Sequence, residues 1–103
     1  MPMESGAVTG AKTDVENDFA LPPQCKVIMF NDDYTTMDFV VFVLKTIFHK
    51  NEADANALME LVHKTGSAIV GVYTYDIAVS RANMATSLAR KNKFPLKVEV
   101  EIQ

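Results

Sequence analysis

Residues 26–40 read KVIMFNDDYTTMDFV. With Cys25 in front, the first half is a short, nearly continuous apolar run, CKVIMF, which is the pattern of a strand buried on both sides. The run stops at Asn31-Asp32-Asp33. Beyond it Met37, Val40, Val41, Leu44 and Phe48 recur at the i, i+3, i+4, i+7, i+11 spacing of one helix face. Thr35 is placed to cap that helix, with Asp38 three residues on as a short-armed capping box. An acid in the first turn also suits the positive end of the helix dipole. The stretch therefore predicts strand, turn and helix, and leaves a question at the seam. Asn and Asp are ordinary turn residues because their side chains bond the neighbouring backbone. A site that needs several hydrogen-bond acceptors in one place would use the same residues.

Reading outward, Asn51 can cap a second helix over 52–65, with Ala57, Leu58, Leu61 and Val62 apolar and Gly66 at the position that often requires positive φ. SAIVGVY, residues 67–73, predicts a second strand. Thr74 caps a third helix that ends in Arg90, Lys91 and Lys93, complementary to the negative dipole end, and Pro95 prevents its continuation. LKVEVEI, residues 96–102, alternates strictly, with Leu96, Val98, Val100 and Ile102 on one face and Lys97, Glu99 and Glu101 on the other. That is a half-buried strand with one wet face.

The predicted order is β-α-α-β-α-β, an α+β (α/β) class with three helices and a three-stranded sheet of antiparallel or mixed type. Two helices between the first and second strands return the chain to the end it left, so those strands run antiparallel. One helix between the second and third makes them parallel in direction. The simplest sheet puts the first strand in the middle, with the helices on one face.

Composition narrows the function classes. A chain of 103 residues is one domain's worth, and 49% apolar content predicts a packed globule. Residues 1–24 carry Gly6, Gly10, Pro22 and Pro23 with little apolar periodicity, which predicts a flexible N-terminal extension ahead of a domain at 25–103. The net charge of -3 sits in that extension, where Glu4, Asp14, Glu16 and Asp18 face only Lys12; the domain carries nine residues of each sign. With no basic stripe, nucleic-acid binding is not expected. The single cysteine, Cys25, makes no internal disulfide and builds no thiolate zinc site, and it reads as a small buried apolar side chain. No stretch approaches the roughly 20 apolar residues of a membrane span, and the start lacks the pattern of a signal peptide. A soluble, cytoplasmic, reducing setting is expected.

The topology brings several of these residues to one end of the sheet. The first strand ends there at Asn31, the second helix ends there near His63, and the third helix ends there ahead of Pro95 and Leu96. Met59 lies one turn before His63 on the same face, and Met37 is in the first turn of its helix. His49, after the first helix, is expected at the opposite end. Each member has a plainer role available: turn chemistry for the acids, a dipole partner for the histidine, core filling for the methionines. Their convergence is what favours a site.

NDDYTTMDFV, LMELVHKTG and GVYTYDIA resemble the ClpS family, small adaptors of the ClpAP protease that recognise N-degrons. The resemblance covers residues 25 to about 100 and implies a fold like the C-terminal domain of the large-ribosomal stalk protein, with residues 25–103 as the adaptor domain. It implies binding of free N-termini that begin with Leu, Phe, Tyr or Trp, and delivery to the ClpA-type AAA+ unfoldase by a monomeric, non-enzymatic protein without cofactor or metal. Asn31, Asp33 and His63 would hold the α-amino group, and Asp32 would support the loop. Thr35, Met37, Val40, Met59, Val62 and Leu96 would line the side-chain pocket, Met37 acting against β-branched residues. Asp76 and Arg81 would contact the unfoldase, and the extension would serve in handover. Thr36 stands where the family usually has proline, which predicts a softer helix start.

The chemistry is consistent with that implication. A protonated amine has three donors and no acceptor, so its receptor must present acceptors: an amide oxygen, a carboxylate, a neutral imidazole nitrogen. Besides a ribosomal or nucleic-acid module, which fold likeness alone suggests and the neutral charge of the domain opposes, two other classes compete. Asp, Asp and His could hold a divalent metal or act as acid and base, although the chain has no second histidine at ligand spacing and no nucleophile or phosphate-loop motif. An unfoldase regulator that works without the pocket is the other.

Overall fold

The computed structural model describes residues 22–103. The expectation of a flexible extension falls on residues 1–21, outside the described part. Six elements follow in the order expected: β1 (Gln24–Phe30), α1 (Met37–Thr46), α2 (Glu52–Thr65), β2 (Ser67–Thr74), α3 (Tyr75–Lys91) and β3 (Lys97–Ile102). The sheet order is β2-β1-β3, with β1 antiparallel to both neighbours.

The helices cover one face only. Cys25, Val27 and Met29 are fully buried beneath them, while Lys26, Ile28 and Phe30 are half-buried on the open face. β1 is therefore not buried on both sides, as its continuous apolar run suggested. Its outward residues are shielded instead by long side chains from β3. The Lys97 ammonium lies 5.0 Å from the Phe30 ring centroid, and Lys26 pairs with Glu101 at 3.8 Å. Such snorkelling lysines cover apolar surface with their methylenes.

α3 packs on the sheet through Ala78, Ala82, Ala85 and Ala89, all buried, a small-residue stripe that permits close approach. α1 buries Phe39, Val40, Val43 and Leu44, followed by Ile47 and Phe48. This stripe is rotated from the one the spacing suggested: Val41 is only half-buried and Met37 is 46% exposed. The helix is apolar nearly all round, so two stripes sharing Val40 and Leu44 fit its periodicity equally. α2 shows a similar shift. Ala55 and Val62 are buried and Leu58 and Met59 pack on the core, whereas Ala57 and Leu61 face outward.

β2 carries a bulge. Val27 pairs with Gly71 but Ile28 pairs with Ile69, leaving Val70 as the extra residue. A Cβ at Gly71 would lie 2.5 Å from the Tyr73 ring, so a side chain there would displace that ring. That ring stacks under the Arg81 guanidinium at 5.5 Å, and Arg81 Nη1 donates to the Ile47 carbonyl at 2.7 Å, locking the end of α1 to α3.

Caps account for most element ends. Asn51 accepts from the Asp54 N–H at 2.8 Å, and Gly66, at φ 94, closes α2 in the left-handed conformation. Thr74 precedes α3 without a side-chain cap bond. His49 follows α1 at φ 56, and Lys93 follows α3 at φ 65. Both adopt a conformation that costs an ordinary residue roughly 1–2 kcal/mol.

Candidate functional site

The loop between β1 and α1 is organised by one carboxylate. Asp32 accepts from the Tyr34 N–H at 2.8 Å, the Thr35 N–H at 2.7 Å and the Thr35 hydroxyl at 2.7 Å. With its hydroxyl committed to Asp32, Thr35 does not cap α1, as the sequence suggested. The cap is Thr36, whose hydroxyl accepts from the Phe39 N–H at 3.1 Å. Residue 36 is thus the cap and not the first helical residue, and Thr36 supplies a bond that proline could not. The helix start is capped rather than softened.

The Asp32 carboxyl is held below its ordinary value of 3.8. Partial burial works against its charge, but the Thr35 N–H and hydroxyl, the Tyr34 N–H and the positive charge of Arg90 together outweigh it. Asp32 therefore stays ionised as the anchor of the loop.

The Asn31 N–H donates to the Gly66 carbonyl at 2.9 Å, which fastens this loop to the end of α2. Between the two lies a cavity of about 390 Å³. Asn31, Asp32, Asp33, Thr35, Met37, Val40, Met59, Val62 and His63 all line it, together with Tyr34 and Thr36. Asn31, Asp33 and His63 are exposed, and among the described residues their side chains take no hydrogen-bond or ion-pair partner. Val40 and Val62 are buried at 7% and 2% exposure and form an apolar floor, with half-buried Met59 beside them and Met37 standing at the rim. The arrangement can accept a donor-rich cation at its polar edge and an apolar side chain behind it.

Leu96 is the exception among the expected pocket residues. It is 1% exposed, belongs to the core and does not line the cavity. Pro95 halts the chain ahead of β3, the Leu96 carbonyl accepts from Arg90, and the Leu96 side chain fills the core between sheet and helices. The sequence does not point to Tyr34 as a cavity residue, and it marks Thr36 only for its place at the helix start. Their flanking of Thr35 inside the acceptor loop was the available signal. Among the described residues, no group of three or more His, Cys, Asp or Glu side chains could hold a metal ion.

The ClpS model, described as ATP-dependent Clp protease adaptor protein ClpS, matches residues 20–99. The chain belongs to the ClpS family. The ClpS adapter of Acetivibrio thermocellus is 50% identical over 93 residues, covering 90% of this chain and 94% of that protein. That of Treponema denticola is 47% identical over 89 residues, covering 86% and 88%. A solved structure, Agrobacterium tumefaciens ClpS2 bound to L-phenylalaninamide, matches with a TM-score of 0.78 at 40% identity, covering 81% of this chain and 100% of that one. The protein is thus a Clp protease adaptor, not itself the protease. No helix among the described residues is long and apolar enough to cross a membrane.

In this ClpS chain Asp76 and Arg81 lie on α3, apart from the cavity. Asp76 is exposed in the first turn. Arg81 is half-buried and engaged with Tyr73 and the Ile47 carbonyl, so it has an internal structural role.

Proposed function

We propose that this ClpS protein binds the free N-terminus of polypeptides that begin with Leu, Phe, Tyr or Trp, and delivers them to a ClpA-type unfoldase. The observation that carries the reading is the meeting of three uncommitted acceptors, Asn31, Asp33 and His63, with a pocket floored by Val40 and Val62. The Asn31 amide oxygen, the Asp33 carboxylate and a neutral ring nitrogen of His63 accept from the three donors of a protonated α-amino group. Each bond to the charged group contributes roughly 1.5–3 kcal/mol net. An internal peptide offers one N–H and no charge, so it leaves these acceptors unfilled. Burying a Leu or Phe side chain adds roughly 1.5–3 kcal/mol.

The ligand of the Agrobacterium protein supports this assignment, since L-phenylalaninamide has the free amine and side chain of an N-terminal phenylalanine. Met37 at the rim narrows the entrance where a β-branched residue places its second carbon. Asp76 and Arg81 contribute to the unfoldase contact from the first two turns of α3. Residues 1–22 act in handover, so their deletion leaves peptide binding intact and abolishes delivery. The protein works as a cytoplasmic monomer.

The direct test is a panel of short peptides that differ only in the first residue, each with a free and an acetylated amine, titrated by fluorescence anisotropy. Free-amine Leu, Phe, Tyr and Trp peptides bind, and acetylation removes most of the affinity. Equal binding of acetylated peptides would refute the amine receptor.

A further inference from the structure

The described residues include four methionines, Met29, Met37, Met59 and Met84, and they meet solvent very unequally. Met29 is fully buried in β1, and Met59 is half-buried. Met37 and Met84 stand 46% and 49% exposed. Met37 and Met59 line the cavity, whereas Met84 sits on α3 in a separate depression beside Ile47 and Leu88. Met37 and Met84 therefore form a matched pair. Both are open to solvent to the same degree, one at the entrance of the cavity and the other away from it.

A thioether at such a place has a chemistry that leucine or valine lacks. Its sulfur attacks one oxygen of a peroxide, the O–O bond breaks as the S–O bond forms, and the other oxygen leaves as water. Sulfur gives up two electrons and the peroxide is reduced. The product, methionine sulfoxide, is polar, and a thiol-dependent reductase reverses the step: two thiols become a disulfide and the oxygen leaves as water. Cys25, the one thiol of the chain, is fully buried, whereas reactive thiols are accessible ones. Among the described residues, the sulfurs an oxidant meets first are thus those of Met37 and Met84.

The consequence differs between the two because their surroundings differ. Behind Met37 lies the apolar floor of Val40 and Val62. A sulfoxide at that entrance holds water, and an apolar side chain moving past it strips the water without replacing its hydrogen bonds. At Met84 the sulfoxide remains in solvent, apart from the cavity.

We propose that Met37 is a reversible oxidation site, modified by peroxides, and that its sulfoxide closes the cavity to apolar first residues. The assignment rests on the amine-and-side-chain reading of that cavity. A bound first residue covers Met37, so the empty adaptor is oxidised and the loaded one is shielded.

The test treats the full chain with hydrogen peroxide, quenches it, and maps the added oxygens by mass spectrometry. Affinity for a fluorescent free-amine peptide beginning with Leu is read by anisotropy before and after. Conversion of Met37 weakens binding about ten-fold, as expected of one polar group left without its partners. Circular dichroism stays unchanged, and methionine sulfoxide reductase with dithiothreitol restores the affinity. Met37→Leu, which keeps apolar bulk at the rim, loses less than about two-fold on the same treatment. Met59→Leu and Met84→Leu remain as sensitive as the parent. Saturating Leu-starting peptide slows oxidation of Met37 but not of Met84. Undiminished affinity with Met37 fully converted would overturn the proposal and leave the amine reading standing. An equal loss in Met37→Leu, or a loss that follows unfolding, would overturn the assignment to this side chain. Oxidation of Met37 at the same rate with and without peptide would overturn the shielding. A parent that binds no free-amine peptide before treatment would overturn the amine reading and this proposal together.

Discussion

The backbone N–H of Asn31 donates to the carbonyl of Gly66 at 2.9 Å. Asn31 is the first residue past β1 and Gly66 the residue that closes α2. Phe30 and Ser67, their neighbours, are already paired in the sheet. The bond therefore extends the β1–β2 ladder by one step into the site. It sets the height of the acceptor loop against the end of α2, where His63 sits in the last turn and Met59 one turn before it. The cavity is held by a backbone bond across its end, so its polar edge is largely formed before any ligand arrives.

Gly66 is the residue most sensitive to replacement at that junction. A Cβ there meets nothing within 4 Å, so the cost of Gly66→Ala comes from φ 94 alone. We expect a loss of about 1–2 kcal/mol, a fall in Tm of roughly 4–15 °C for a domain of this size, and weaker peptide binding as the α2 end loosens. Thermal unfolding followed by circular dichroism checks the first, and an anisotropy titration the second.

Asp32 makes the loop pH-dependent in a stated direction. Its folded-state value lies below the ordinary 3.8, so the unfolded chain takes up a proton first as pH falls. Its contribution is complete above about pH 4 and fades as pH drops through the lower folded-state value. Asp32→Asn should cost about 1 kcal/mol at neutral pH and measurably less near pH 3. Urea unfolding of both proteins at the two pH values measures the difference; an equal penalty at both would show that the carboxylate charge does not matter.

Thr36 contributes through its hydroxyl. Thr36→Ala removes the bond to the Phe39 N–H and should destabilise by about 1 kcal/mol. Thr36→Pro loses the same bond, but φ −74 already suits proline and the unfolded chain loses freedom. The proline variant should be the more stable of the two in denaturant unfolding.

Met37 tests the entrance. At 46% exposure it contributes little to the core, so Met37→Ala should change stability by less than about 1 kcal/mol. The same variant should admit peptides beginning with Ile or Val that the parent rejects. Unchanged selectivity in the first-residue panel would remove the gating role.

Much of this was legible from periodicity and turn residues. The 2-residue alternation of LKVEVEI, the continuous CKVIMF run and the caps Asn51 and Gly66 are local signals, and local signals survive without knowledge of packing. Connection rules then put Asn31, Asp33 and His63 at one end. Less legible was the choice between Thr35 and Thr36 as cap, because it turned on which hydroxyl the Asp32 carboxylate captured. The facing of α1 was equally hidden, since Met37 and Phe39 are both apolar and both fit a helical stripe.

From its sequence alone this chain is assigned six elements in order, a central first strand and a set of acceptors gathered at one end of the sheet. Depth was decided by the tertiary structure: Val40 and Val62 at the cavity floor, Met37 at its rim, Leu96 inside the core, and Arg81 bound to the Ile47 carbonyl. The reason is physical. Periodicity and capping act within a few residues, whereas burial depends on how every helix fills the space above the same sheet.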